Sequence, residues 1–183
     1  EKSYLSKKNK WRYPKISVCW ENPGQYTTNT KAVRSIISAE YESKTPLRFI
    51  GWGKCDSESA NIRIKISDEG PHVKALGSGI NGVTSGMVLN FEFKQWSTSC
   101  RTERNYANCF NSIALHEFGH AVGLSHEHNR GDRDSDCKDK KQGHDGDTRI
   151  GEFDRKSIMN YCYNSSYNAV LSPGDVLGLN VLY

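Results

Sequence analysis

The chain has no apolar run long enough to cross a membrane, no C-x-x-C pair, no internal repeat and no low-complexity tract. The first absence excludes a helical membrane span, which needs about 20 apolar residues. The second argues against a zinc ribbon or a thioredoxin-type redox motif. No aromatic platform is interleaved with a basic stripe, so nucleic acid is not an expected partner, and without a spanning run neither is a membrane. The start, EKSYLSKKNKW, is charged and lacks the apolar core of a signal peptide, as a processed, mature chain would.

What is present points to one domain. A chain of 183 residues can bury about 70% of its unfolded surface, enough for a real core. The net charge of +4 is modest. Lys2, Lys7, Lys8 and Lys10, and the mixed run from Lys138 to Lys141, read as solvated faces. The six cysteines are Cys19, Cys55, Cys100, Cys109, Cys137 and Cys162. An even, widely spread set suits three disulfides in an exported protein, although 15 pairings are open to six cysteines.

Periodicity supplies the elements. KISVCW alternates and predicts a strand; Ala32, Val33, Ile36, Ile37 and Tyr41 lie at helical spacing; LRFIGW and NIRIKIS predict two more strands. After a glycine-punctuated connection, MVLNFEF predicts a fourth strand, and a second helix is expected over about Asn111 to Leu124. Near the end, Ser172 is placed to cap a short terminal helix, with Pro173 at its first position and Asp175 completing a capping box. Strands and one helix, then a histidine-rich helix, then a loop-rich tail describe an α+β protein.

Chemistry concentrates in ALHEFGHAVGLSHEHNRGDRD. His116 and His120 are four residues apart, so a helix projects both imidazoles from one face. Glu117 lies about 100° around the helix, placed to reach a water on a shared metal rather than the metal itself. Ala114, Phe118, Ala121 and Val122 cover the opposite side. Gly123 can take the left-handed conformation that ends a helix, letting the chain turn back and return His126 to the same ion. Three neutral imidazoles with one open position are the ligand set of a catalytic zinc site.

The full pattern H-E-x-x-H-x-x-G-x-x-H is the metzincin signature, and SIMNY, Ser157 to Tyr161, is similar to the Met-turn with Met159 beneath the metal. HEHNRGDRD resembles the astacin-like family, in which Glu follows the third histidine and an Arg and D-R-D trail it: here Glu127, Arg130, Asp132, Arg133 and Asp134. The whole looks like the small bacterial astacin-like proteases. The resemblance is strong from the zinc helix to the Met-turn and loose elsewhere, where only a start near Trp11, Pro14 and Ile16 and a terminal helix match. Six cysteines stand where animal astacins have four, and Asn160 where the astacin Met-turn has His.

That resemblance implies a two-lobed, metzincin-like catalytic domain spanning 1–183, an upper lobe of about 1–123 and a smaller lower lobe of about 124–183. It implies a twisted, mostly parallel sheet with an antiparallel edge strand, two long helices and a short C-terminal helix. The implied activity is secreted, zinc-dependent endopeptidase action on proteins or peptides by a monomer, through one Zn2+ ion held by His116, His120, His126 and Tyr161. Glu117 would be general base, and Tyr161 would swing away to hydrogen-bond the transition state. The strand SGMVLNFEF stands where metzincins place their edge strand, so Gly86, Val88 and Asn90 are expected to pair with substrate, with a buried central strand as the competing reading that the sequence barely separates from it. An inhibitory pro-segment is expected before maturation, with Glu127 contacting the new amino end afterwards; a frayed, charged tail over Glu1 to Lys10 is the competing reading. The expected disulfides are Cys19–Cys55, Cys100–Cys109 and Cys137–Cys162.

Two rival functions remain: a matrixin-like enzyme without a tyrosine ligand, and an inactive zinc-stabilised binding module, which Glu117 argues against. The stretch DRDSDCKDKKQGHDGD lacks the Gly and Glu of an EF-hand loop and reads as a solvated surface loop. Asn164-Ser165-Ser166 is a formal glycosylation sequon. His72 and His144 have no recognisable ligand set, and His128 is expected to face solvent.

Overall fold

The computed structural model describes residues 3–56, 60–163 and 169–183. The elements run β1 (Ser3–Leu5), β2 (Lys15–Trp20), α1 (Thr27–Ile37), β3 (Arg48–Lys54), β4 (Ile62–Ile66), β5 (His72–Val73), β6 (Met87–Leu89), α2 (Glu103–Ala121), β7 (Thr148–Ile150) and α3 (Pro173–Leu182). The result is a mixed α+β protein. No helix among the described residues is long and apolar enough to cross a membrane.

Five strands form one sheet in the order β3-β2-β4-β6-β5. The first four are parallel, and β5 is antiparallel to β6 at the end of the sheet. The alternation in NIRIKIS is realised as anticipated: Ile62, Ile64 and Ile66 are buried while Lys65 is exposed. Strand β2 runs through the middle of the core, with Ile16, Val18 and Trp20 almost fully buried. Helix α1 continues into one wider turn, Ser38–Glu42, marked by a hydrogen bond from Ser43 N to Ser38 O. That turn seats Tyr41, whose hydroxyl donates to Leu115 O of α2 at 2.6 Å.

Helix α2 packs its Phe118 against the aromatic side chains of β3. Phe49 meets it edge-on at 5.3 Å and Trp52 stacks on it at 5.7 Å. The helix begins at Glu103, eight residues ahead of the expected Asn111, and ends at Ala121. Its added first turns carry ERNYAN, mostly exposed and without apolar periodicity; the Cys100–Cys109 disulfide ties that end back on itself. Cys19–Cys55 and Cys137–Cys162 complete the set of three bonds, each in the expected pairing.

MVLNFEF departs from its alternation after Leu89. The Asn90 side chain accepts hydrogen bonds from the backbone N–H groups of Glu92 and Phe93, an Asx turn that ends the strand. Nor is this strand an edge. β6 pairs with β4 on one side and β5 on the other, and Gly86 O already accepts from Lys74 N. Gly86 and Val88 therefore offer no free backbone edge, and Asn90 lies beyond the strand in the turn; a two-residue strand too short for periodicity to detect, β5, covers β6.

The amino-terminal segment is not frayed from Ser3 onward. β1 pairs antiparallel with β7, and Ser3 and Leu5 are buried. Asp147 locks the following turn, accepting from Ser6 Oγ, Lys7 N, Lys8 N and Thr148 Oγ. Partial burial opposes its ionisation, but the donors prevail and hold its carboxyl down to about 2. A carboxyl held below its ordinary range stabilises the fold above its unfolded pKa, and that contribution is lost as pH falls through its folded one. The melting-temperature gap between the native chain and Asp147→Asn should therefore close as pH drops from the ordinary 3.8 to about 2. A gap that stays constant over that window would show that the ionised carboxylate does not hold this turn.

Candidate metal centre

The site begins with the end of α2. Gly123 adopts φ +100°, and its N–H and that of Leu124 bond back to His120 O and Gly119 O. A side chain is strained in that conformation, so glycine permits the sharp exit. Ser125 N then pairs with Tyr4 O and Glu127 N with Met159 O, which fixes His126 opposite the helix.

His116, His120 and His126 converge. The Nε2 of His126 lies 3.1 Å from the Nε2 of both His116 and His120. Nitrogens bound tetrahedrally to one zinc at about 2.0–2.1 Å lie about 3.3 Å apart, so these three fit one ion. Each ring donates its other nitrogen's proton to a backbone carbonyl: Ile158 O for His116, Leu124 O for His120 and Gln142 O for His126, all within 2.8–2.9 Å. Those acceptors fix the tautomer and leave each Nε2 lone pair facing the centre. Burial, with neighbouring imidazoles second, pushes the His116 pKa down to about 3; burial likewise lowers His120 and His126. The rings are thus neutral at neutral pH, as metal ligands must be.

Glu117 is 5% exposed, and its Oε2 has no hydrogen-bond partner. Burial pushes its pKa up to about 8. A buried orphan carboxylate beside three inward-facing imidazoles is explained by a cation and its water, so the donor set fits a metal on chemical as well as geometric grounds. Tyr161 completes the face, its hydroxyl 3.1 Å from His116 Nε2.

Met159 packs against this end of α2. A Cβ on Gly119 would come within 2.5 Å of Met159 Sδ and 3.2 Å of the Tyr41 hydroxyl, so the glycine of HEFGH is where the turn carrying Met159 fits against α2. The turn is tied down from behind: Asp175 accepts from Ser157 Oγ and Ile158 N while forming the capping box of α3 with Ser172. Gly119→Val should displace Met159 and destabilise the chain by about 1–3 kcal/mol, the usual cost of overpacking a core. Thermal denaturation reads this directly, and an unchanged midpoint would mean the turn is free to move away.

Glu127 is buried beside the site rather than in it. Its Oε1 accepts from Asp154 N at 2.9 Å and faces Arg130 Nη1 at 3.3 Å. Arg130, also buried, donates onward to Ser3 O, Ile150 O and Gly151 O and pairs with Asp132. Glu127 is therefore joined to β1 through an arginine; Glu1 and its amino group lie outside the described residues. Asp134 and Asp136 meet Arg155 at the surface, and the sequon at Asn164 lies outside the described residues.

One expectation is reversed. His128 does not face solvent: it is fully buried, and its ring stacks on His126 and on Tyr161, 4.9 Å from each. The turn Glu127–Asn129 brings it inward, a tertiary choice that spacing from His126 could not reveal. Sequence reasoning also missed Trp96, Ser112 and Gln142, which line the cleft beside His116 and Glu117. Ser112 alone had a signal, since it lies four residues before His116 and so on the same helical face.

Fold and site together define an α+β protein with a three-histidine metal centre at the end of its longest helix. The solved structures with this fold include myroilysin, with a TM-score of 0.70 and 18% identity over 98% of this chain and 97% of that one. A second structure, a crystal structure of myroilysin, gives a TM-score of 0.58 and 19% identity, covering 96% and 86%. No family model matches the chain, and no curated protein does.

Proposed function

We propose that this protein is a secreted, zinc-dependent endopeptidase of the astacin-like metzincin type. The observation that carries the reading is the conjunction of three neutral imidazoles on one centre with an unpartnered buried carboxylate beside them. The fold shared with the metalloprotease myroilysin supports it, as do three disulfides, which suit an oxidising compartment.

His116, His120 and His126 would hold the ion, with Tyr161 as a further ligand. When bound, zinc lowers the pKa of its water and polarises a carbonyl. The remaining work belongs to the chain. Glu117 accepts the water's proton and returns it to the leaving amine. Tyr161, 38% exposed and stacked on His116 and His128, would hydrogen-bond the developing oxyanion. Its hydroxyl beside His116 Nε2 favours an astacin-like over a matrixin-like site. The outer side of β5, at the end of the sheet and beside the cleft, replaces β6 as the backbone edge for an extended peptide.

Hydrolysis of casein, lost with a chelator and restored by added Zn2+, tests the reading. Intact casein after prolonged incubation with zinc-loaded protein would leave a metal-binding module in its place.

A further inference from the structure

The cleft is asymmetric about Glu117. On the side of the helical turn before His116 lies a cavity of about 450 Å³; on the other lies one of about 200 Å³, lined by His72, His120, His126 and His144. Glu117 and Tyr161 border both. An extended peptide crossing the site therefore offers one side chain to a large cavity and another to a small one.

The larger cavity has apolar walls in Pro71, Trp96, Ile113 and Ile158, and neither lysine nor arginine lines it. An acidic side chain entering it would lose its hydration with no side-chain cation in exchange. A basic one would meet only Glu117 and engage the carboxylate needed as base. Ser112 is in the same wall, one turn ahead of His116. It is 3% exposed, and its Oγ has no hydrogen-bond partner. Of the three such atoms among the described residues, Ser112 Oγ and Glu117 Oε2 belong to residues that border this one cavity. A helical serine can return its hydroxyl to the preceding turn, and this one does not. A buried hydroxyl without a partner carries a cost that a ligand hydroxyl can recover.

We infer that Ser112 determines specificity: the larger cavity receives a bulky, uncharged side chain with a polar tip, tyrosine ahead of phenylalanine, from a residue adjoining the cleaved bond. The inference rests on the endopeptidase reading above and names the substrate class for that site.

The test is a series of peptides identical except for one residue beside the scissile bond, carrying Tyr, Phe, Ala, Asp or Lys on each side in turn. On one side kcat/KM should be highest for Tyr, about five- to tenfold above Phe, the scale of one neutral hydrogen bond. Ala, Asp and Lys should follow. In Ser112→Ala the Tyr-to-Phe ratio should fall to about one; alanine is the better helix former, so folding is not at risk. A serine with only a structural role would slow both peptides alike and leave the ratio intact. An unchanged ratio, or Asp or Lys cleaved faster than Tyr, overturns the inference.

Binding gives a readout independent of turnover. Tyrosine amide should bind the zinc-loaded Glu117→Gln protein more tightly than phenylalanine amide by ligand-observed NMR, and Ser112→Ala in that background should abolish the difference. Equal binding of the two amides counts against Ser112. Casein hydrolysed alongside a flat peptide series refutes the Ser112 inference alone, whereas no hydrolysis of casein or any peptide refutes the endopeptidase reading, with the amides still deciding Ser112.

Discussion

Glu117→Gln should keep its zinc and lose turnover by about 10²–10⁴-fold, the range expected when a general base is removed. The substitution preserves shape and a hydrogen-bonding oxygen but cannot accept a proton at neutral pH. Folding should survive, because Glu117 Oε2 has no partner in the protein to lose and its burial already penalises the charged form. Metal content and peptide hydrolysis measured on one preparation check both halves. Near-native turnover with full metal would remove Glu117 from the chemistry. Loss of metal together with turnover would make it a ligand, contrary to its place around the helix from His116 and His120.

The His116→Ala, His120→Ala double variant should bind zinc more weakly by several orders of magnitude, because a lone imidazole, His126, remains of the three. The free energy of zinc binding is also folding free energy wherever the unfolded chain binds the ion weakly. Chelation should therefore lower the melting temperature of the native protein and leave that of the double variant unchanged. The backbone behind the rings strengthens this expectation: Ile158, Leu124 and Gln142 hold the three rings by their carbonyls, from three separate segments. An ion shared by the rings cross-links those segments. Stoichiometric zinc in the double variant, or a native melting temperature indifferent to chelator, would rule out this centre.

The parts of the fold visible in advance were those with a long local pattern. The alternation in NIRIKIS and the capping box at Ser172 and Asp175 each reappear in the structure as expected. Local patterns failed where a side chain or a distant strand intervened. MVLNFEF alternates well beyond Leu89, but Asn90 diverts its backbone into a turn. The same strand is hidden from the sheet edge by β5, two residues that carry no periodic signal. The first two turns of α2 are polar, so no apolar stripe announced them.

By itself the sequence determined the metal centre's local half. Four-residue spacing places His116 and His120 on one helical face, and Gly123 permits the reversal that brings back His126. These depend on backbone geometry within a dozen residues, which a sequence states directly. Only the tertiary structure decided what surrounds that half. It turned His128 inward against Tyr161, joined Glu127 through Arg130 to a strand more than a hundred residues earlier, and left Ser112 without a partner. Each of these outcomes sets burial against hydrogen bonding among segments far apart in the chain, and no spacing encodes which segments will meet.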